Sequence, residues 1–178
     1  MLFKVAVLIV AIIGLCEACS DFYMNFSSPS IRLSVRTMDL GAEMTNWTFT
    51  SWPKGSTVDF TSLPPMSREQ ALSGETIKYA MLGVSANWFG DNHWGFPTFF
   101  GDSINEKGLS CSLLTLLGTK YEHYSARKTN VFAGSFCKWA TSLHADVLEV
   151  QAALDNIAIY GPDILAEHFI LRDAAGLR

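Results

Sequence analysis

The sequence is short of charge, short of cysteine and short of long apolar runs. Only 17% of its 178 residues are Asp, Glu, Lys or Arg, and the formal net charge is −4. A mildly acidic balance of this kind gives no electrostatic footprint for nucleic acid, whose binders carry basic faces. His93, His123, His144 and His168 are the four histidines. They show no paired ligand spacing, so neither a zinc site nor any other metal or cofactor is expected. No internal repeat and no low-complexity linker interrupts the chain, which excludes solenoids and tethered multidomain arrangements. Beyond residue 15 no apolar run approaches the ~20 residues of a membrane-spanning helix, so no membrane span is expected. The sequence leaves an oligomer open.

The one long apolar run stands at the start. Lys4 supplies a positive n-region, and Val5 to Leu15 form an uninterrupted apolar stretch of h-region length. Cys16-Glu17-Ala18 then offers small residues at the two positions signal peptidase reads. The expectation is a signal peptide over 1–18, cleavage after Ala18, and a secreted, periplasmic or lumenal protein over 19–178. Loss of Lys4 and Glu17 cancels, so the net charge survives processing. Two glycosylation sequons, Asn25-Phe26-Ser27 and Asn46-Trp47-Thr48, carry meaning only in a eukaryotic secretory pathway.

Cleavage there makes Cys19 the first residue, with a free α-amine and a thiol on the same residue. An α-amine titrating near ~8 can serve as base for its own side chain, which is the N-terminal-nucleophile device. Two plainer readings compete. Cys19 is half of a disulfide, or it is a lipid-anchor site, although Cys16 and Glu17 are poor residues for the latter. Cys19, Cys111 and Cys137 would remain after processing. Three is odd, so at least one thiol is free or pairs between chains. Cys111 and Cys137 read as buried thiols or as one disulfide, not as catalytic groups.

Along the chain, Cys19 to Met24 reads as a first strand and Ser27-Ser28-Pro29-Ser30 as a turn. Ile31, Leu33 and Val35 alternate with polar residues, a period of two. Hairpin logic then returns Arg36 and Asp39 to the side of Cys19. Trp47 and Phe49 mark another strand, stopped at Pro53-Lys54-Gly55. Residues 60–74 read as irregular, and 76–86 as a strand with Ile77, Tyr79 and Met81 on one face. Residues 88–100 read as an aromatic loop, Asn105-Glu106-Lys107-Gly108 as a turn, and Leu109 to Leu117 as a buried strand. A helix is expected over 131–143. Asp146 should cap a second one, with Glu149 completing a box-like start and Val147, Val150, Leu154 and Ile157 as its apolar stripe. Gly161-Pro162 ends that unit. His168 to Arg172 reads as a last strand, and Asp173 to Gly176 as a hairpin turn with no strand to follow. That last strand is expected either to lack a partner, as in a chain cut in mid-architecture, or to be a short edge strand.

In order, the chain carries Cys19-Ser20-Asp21-Phe22, Arg36-Thr37-Met38-Asp39, Lys78-Tyr79-Ala80-Met81-Leu82-Gly83, Phe96-Pro97-Thr98-Phe99, Asn105-Glu106-Lys107-Gly108-Leu109 and His168 to Gly176. This succession resembles the choloylglycine hydrolase family, the linear amide C–N hydrolases that include bile salt hydrolases and penicillin V acylases. The resemblance runs from Cys19 to the end of the chain. It implies an α+β fold, the αββα sandwich of N-terminal-nucleophile hydrolases, of which the chain carries the N-terminal portion. It implies Cys19 as nucleophile, Arg36 beside the sulfur, Asp39 holding the α-amine, and Asn105 offering its backbone N–H to an oxyanion. Met38, Trp88 and Phe89 match the region that packs on the acyl part of the substrate. The family pattern has a further oxyanion asparagine and a further arginine, both downstream of the 173–176 turn. The interval from Cys19 to Arg36 is one residue longer than in bile salt hydrolases, an excess that the turn at 27–30 can absorb.

The function implied is hydrolysis of a small-molecule N-acyl amide with an apolar acyl group, such as a conjugated bile acid or an N-acyl amino acid. Two alternatives stand beside it. One is a lipid-amide hydrolase of the acid ceramidase or N-acylethanolamine acid amidase type, enzymes that mature by self-cleavage before an internal cysteine. The other is a non-catalytic secreted remnant. The plainer reading of the same residues, whatever the function, is Arg36 and Asp39 as an ordinary surface ion pair, worth little, and Asn105-Glu106-Lys107-Gly108 as only a turn.

Overall fold

Stretches of alternating or continuous apolar character outnumber those of helical period, and the computed structural model is accordingly sheet-rich. It describes residues 19–27, 30–37, 47–58, 60, 75–86, 99–163 and 166–176. The chain forms two compact units, residues 1–43 and 44–178. In the first, β1 (Asp21–Ser27) and β2 (Ser30–Arg36) pair antiparallel from Asp21↔Arg36 to Ser27↔Ser30. The period-two pattern of the sequence decides which side chains share a face. Phe22, Met24, Phe26, Ile31, Leu33 and Val35 line one face and are 41–57% exposed. Asp21, Tyr23, Asn25, Arg32, Ser34 and Arg36 line the other.

The second unit contains β3 (Trp47–Trp52), β4 (Thr57–Val58), β5 (Glu75–Thr76), β6 (Met81–Ala86), β7 (Phe99–Asn105), β8 (Ser110–Thr115), β9 (Thr129–Phe132), β10 (Ile157–Tyr160) and β11 (Glu167–Arg172). Its helices are α1 (Phe136–Leu143) and α2 (Val147–Ala153). A five-stranded antiparallel sheet runs in the order β11-β8-β7-β6-β3. Met81, Cys111, Leu113, Phe169 and Leu171 point from it into a core shared with Phe136, Trp139, Ala140 and Leu143 of α1. Burial of each large apolar side chain here contributes about 1.5–3 kcal/mol. A disulfide joins Cys111 of β8 to Cys137 of α1, so the expected pair of buried residues is covalent. Among the described residues, Cys19 carries the free thiol.

Four elements depart from the sequence reading. The expected helix over 131–143 begins at Phe136, because Thr129–Phe132 pairs in parallel with Ile157–Tyr160. The second helix ends at Ala153, a 3-10 turn takes 154–156, and Ile157 belongs to β10 rather than to a helical stripe. Val131, Phe132, Ile157, Ala158 and Tyr160 are all buried. Strands buried on both faces lose the alternation that distinguishes them from helix. The strand expected over 76–86 splits into β5, paired with β4, and β6, paired with β3 and β7. β7 itself occupies ground read partly as loop, since Gly101, Asp102 and Ser103 hide its strand character.

The last strand does have a partner. β11 lies antiparallel along β8 in the register Glu167↔Thr115 to Arg172↔Ser110. Hairpin logic looks only to sequence neighbours, and here the free edge of β8 supplies the pairing from far upstream. Asp146 caps α2 through Glu149 N–H at 2.8 Å, while Glu149 Oε2 accepts from Ala145 N–H at 2.7 Å, one residue ahead of the usual box position. Asp173 Oδ2 adds a third acceptor at this helix start, from Val147 N–H at 3.2 Å.

Candidate active site

The hairpin of the first unit carries two of the residues expected to act together. Cys19 lies just ahead of β1, and Arg36 is the last residue of β2. Asp21 stands directly opposite Arg36, and Cys19 lies two residues before Asp21 on the same face. That is a diagonal neighbour relation, within reach of a long side chain. Arg36 Nη2 donates to Cys19 Sγ at 3.6 Å, with both residues half-buried. The planar guanidinium thus presents a donor directly to the sulfur. The ladder closes just beyond. Thr37 N–H donates to the Ser20 carbonyl at 2.8 Å, and Ser20 N–H donates to Thr37 Oγ1 at 2.9 Å. Asp39, Met38, Trp88 and Phe89 lie outside the described residues.

Asn105 ends β7 in the second unit and is buried. Glu106-Lys107-Gly108 begin the short connection to β8, with Gly108 at φ 84° as the left-handed residue such hairpins need. Asn105 organises this turn almost alone. Its carbonyl accepts from Gly108 N–H at 2.9 Å, and its own N–H donates to the Leu109 carbonyl at 3.0 Å. Its Oδ1 accepts from Lys107 N–H at 3.0 Å and Leu109 N–H at 3.1 Å. Its Nδ2 donates to the Thr141 carbonyl at 2.8 Å and the His144 carbonyl at 2.7 Å. Those are orphan carbonyls at the C-terminal end of α1, where no intrahelical donor is left. The N–H that the family resemblance assigns to an oxyanion is therefore engaged inside the hairpin, and the side chain bolts the hairpin to the helix.

His144 follows α1, with its ring 4.6 Å from the Trp139 ring and Nδ1 3.1 Å from the Ala140 carbonyl. Burial holds its imidazole below the usual range, the carbonyl partially opposing this. Sequence reasoning gives no role to Thr37, His144 or Asp173. Thr37 and Asp173 stand inside the quoted stretches, and a hydroxyl or carboxylate at the end of a strand is the signal that marks such caps.

A family model described as linear amide C–N hydrolases, choloylglycine hydrolase family, matches residues 19–177. A bile salt hydrolase/transferase of Clostridium perfringens is 39% identical over 88 residues, covering 47% of this chain and 24% of that protein. Among solved structures, a variant of the conjugated bile acid hydrolase from Clostridium perfringens superposes with a TM-score of 0.66 at 24% identity, over 89% of this chain and 46% of that one. Penicillin V acylase from Agrobacterium tumefaciens gives 0.55 at 20% identity, over 72% and 36%. At these identities the two structures speak to the fold, and the α+β sandwich expected from sequence is the fold they share with this chain. The chain spans less than half the length of each of these relatives.

Proposed function

Because the chain belongs to the choloylglycine hydrolase family of linear amide C–N hydrolases, we propose that it hydrolyses small N-acyl amides with an apolar acyl group, conjugated bile acids among them, with Cys19 as nucleophile. The observation that carries this reading is the 3.6 Å contact between Arg36 Nη2 and Cys19 Sγ. The names of the Clostridium perfringens relatives support the substrate class. Removal of residues 1–18 as an export signal frees the α-amine of Cys19. That amine takes the thiol proton, and Arg36 donates to the sulfur. Sulfur attacks the amide carbonyl carbon, the C–N bond breaks, and the amine leaves with the proton carried by the α-amine. Water then cleaves the thioester, releasing the acid and restoring the thiol. By the family resemblance, Asp39 holds the α-amine and Met38 packs on the acyl group. Asn105 serves by fixing the hairpin and helix α1, its N–H being already engaged.

The test is sequencing of the exported product's N-terminus, followed by turnover of taurine- or glycine-conjugated bile acids and other N-acyl amides. The product should begin at Cys19, and Cys19→Ser should abolish turnover while leaving the melting temperature nearly unchanged. A product beginning at any other residue removes the free α-amine and with it the mechanism.

A further inference from the structure

Thr37 occupies a position where the backbone ladder of the hairpin should make one more reciprocal pair. In a hydrogen-bonded antiparallel pair the two residues exchange N–H to carbonyl bonds in both directions. Ser20 and Thr37 make only the first in that way, Thr37 N–H to the Ser20 carbonyl at 2.8 Å. For the return bond Ser20 N–H turns to the Thr37 hydroxyl oxygen at 2.9 Å. The hydroxyl thus stands in for a ladder carbonyl. Regular pairing stops at Asp21↔Arg36, and both backbone polar groups of Ser20 are tied to one residue.

We propose that Thr37 is a positioning residue for Cys19: its hydroxyl ends the ladder and fixes the Ser20 backbone, so that the sulfur one residue away is held against Arg36. The proposal rests on the reading of Cys19 as nucleophile. The geometry is short-range throughout. Arg36 precedes Thr37 directly and Cys19 precedes Ser20 directly, so the two Ser20–Thr37 bonds set the spacing of the 3.6 Å Arg36–Cys19 contact. Without the hydroxyl, Ser20 N–H must find water or the Thr37 carbonyl. Either choice re-aims the chain before β1, and with it the sulfur. Displacing a reacting atom by about 1 Å can cost on the order of 10²-fold in rate.

The test compares Thr37→Val, which keeps shape and loses the hydroxyl, with Thr37→Ala and with Thr37→Ser, which keeps it. Thr37 is exposed, so all three should fold, and melting temperatures check this. Two readouts are taken at one pH: kcat and KM for a conjugated bile acid, and the rate at which iodoacetamide alkylates Cys19. The Val and Ala variants should lose about 10- to 100-fold in kcat with KM nearly unchanged, and should alkylate more slowly. Thr37→Ser should restore both. Val and Ala variants that alkylate and turn over like the parent overturn the proposal, as does a Ser variant that restores neither. Cys19→Ser separates the role of the sulfur from the role of the hydroxyl. If it retains turnover, the nucleophile reading fails, whereas the alkylation arm still reports on Thr37. If it is inactive while the Thr37 variants behave as the parent, only the role of Thr37 falls.

Discussion

Replacing Asn105 by Ala tests whether this residue works in chemistry or in architecture. The side chain makes four hydrogen bonds, two accepted by Oδ1 and two donated by Nδ2. Alanine leaves all four partners without it. The Leu109 N–H and Thr141 carbonyl bonds are fully buried, and the other two lie partly open. A buried group left unsatisfied costs about 1–3 kcal/mol. The two buried partners therefore cost about 2–6 kcal/mol together, and the two open ones recover part of their loss from water. A net loss of about 3–5 kcal/mol is comparable with the whole stability of many domains. For a chain of this size each kcal/mol moves the melting temperature by roughly 2–4 °C, so Asn105→Ala should melt at least ~6 °C lower by circular dichroism. Asn105→Asp keeps the two acceptor bonds but sets a carboxylate oxygen against two carbonyls. It should destabilise too, with the turn retained and the grip on α1 lost. An Asn105→Ala protein that melts with the parent yet loses turnover would refute this and return the residue to the oxyanion role.

The Cys111–Cys137 bond closes a separation of 26 residues. Loop-closure entropy assigns such a cross-link about 3–4 kcal/mol, so Cys111→Ser with Cys137→Ser should lower the melting temperature while leaving Cys19 alkylation unchanged; loss of alkylation in the double variant would contradict the separate roles. Burial lowers the His144 proton affinity in the folded state from its ordinary value of 6.5. The unfolded chain then binds the proton first as pH falls, so stability present above pH 6.5 should decline below it, and His144→Gln should flatten that part of the melting-temperature profile. Parallel profiles for the two proteins would exclude His144 as the source. Gly108 sits at φ 84°, and a Cβ placed on it would lie only 3.1 Å from Ala174 Cβ. Gly108→Ala should therefore cost roughly 1–2 kcal/mol from the backbone alone, and an unchanged melting temperature would show that the turn relaxes.

Legibility follows range and face. The β1–β2 hairpin is readable in the sequence because a polar residue follows each apolar one and a Ser-Pro turn separates the runs. Its register then follows from pairing the two alternations, and the Arg36–Cys19 neighbourhood follows from the register. The Asp146 cap is readable because side-chain capping is local. β9 and β10 are not, because both strands are buried almost throughout and carry no alternation that separates strand from helix. β11 reads as a strand, but its pairing with β8 depends on which sheet edge remains open after β7 has docked, and no local pattern encodes that. Asn105 is recognisable from its place in Asn-Glu-Lys-Gly-Leu, yet its use is not. Its two most telling partners, the Thr141 and His144 carbonyls, belong to a helix end that only the folded chain brings near.

The proximity of Arg36 to Cys19 is enforced from the opposite face of the same hairpin. Phe22 stands across from Val35, Met24 from Leu33, and Phe26 from Ile31. Each such cross-strand pair contributes roughly 0.2–1 kcal/mol relative to alanine, so the three together favour this register by about 0.6–3 kcal/mol. A slip of β2 by one residue would turn Ile31, Leu33 and Val35 toward Tyr23 and Asn25 and carry Arg36 to the face away from the sulfur. All three apolar pairs would be lost at once. Arg36 and Cys19 therefore need no long-range contact to meet: a run of apolar alternation selects the one register in which this guanidinium meets this thiol. The Ser20–Thr37 bonds then close that register at the end where the sulfur lies.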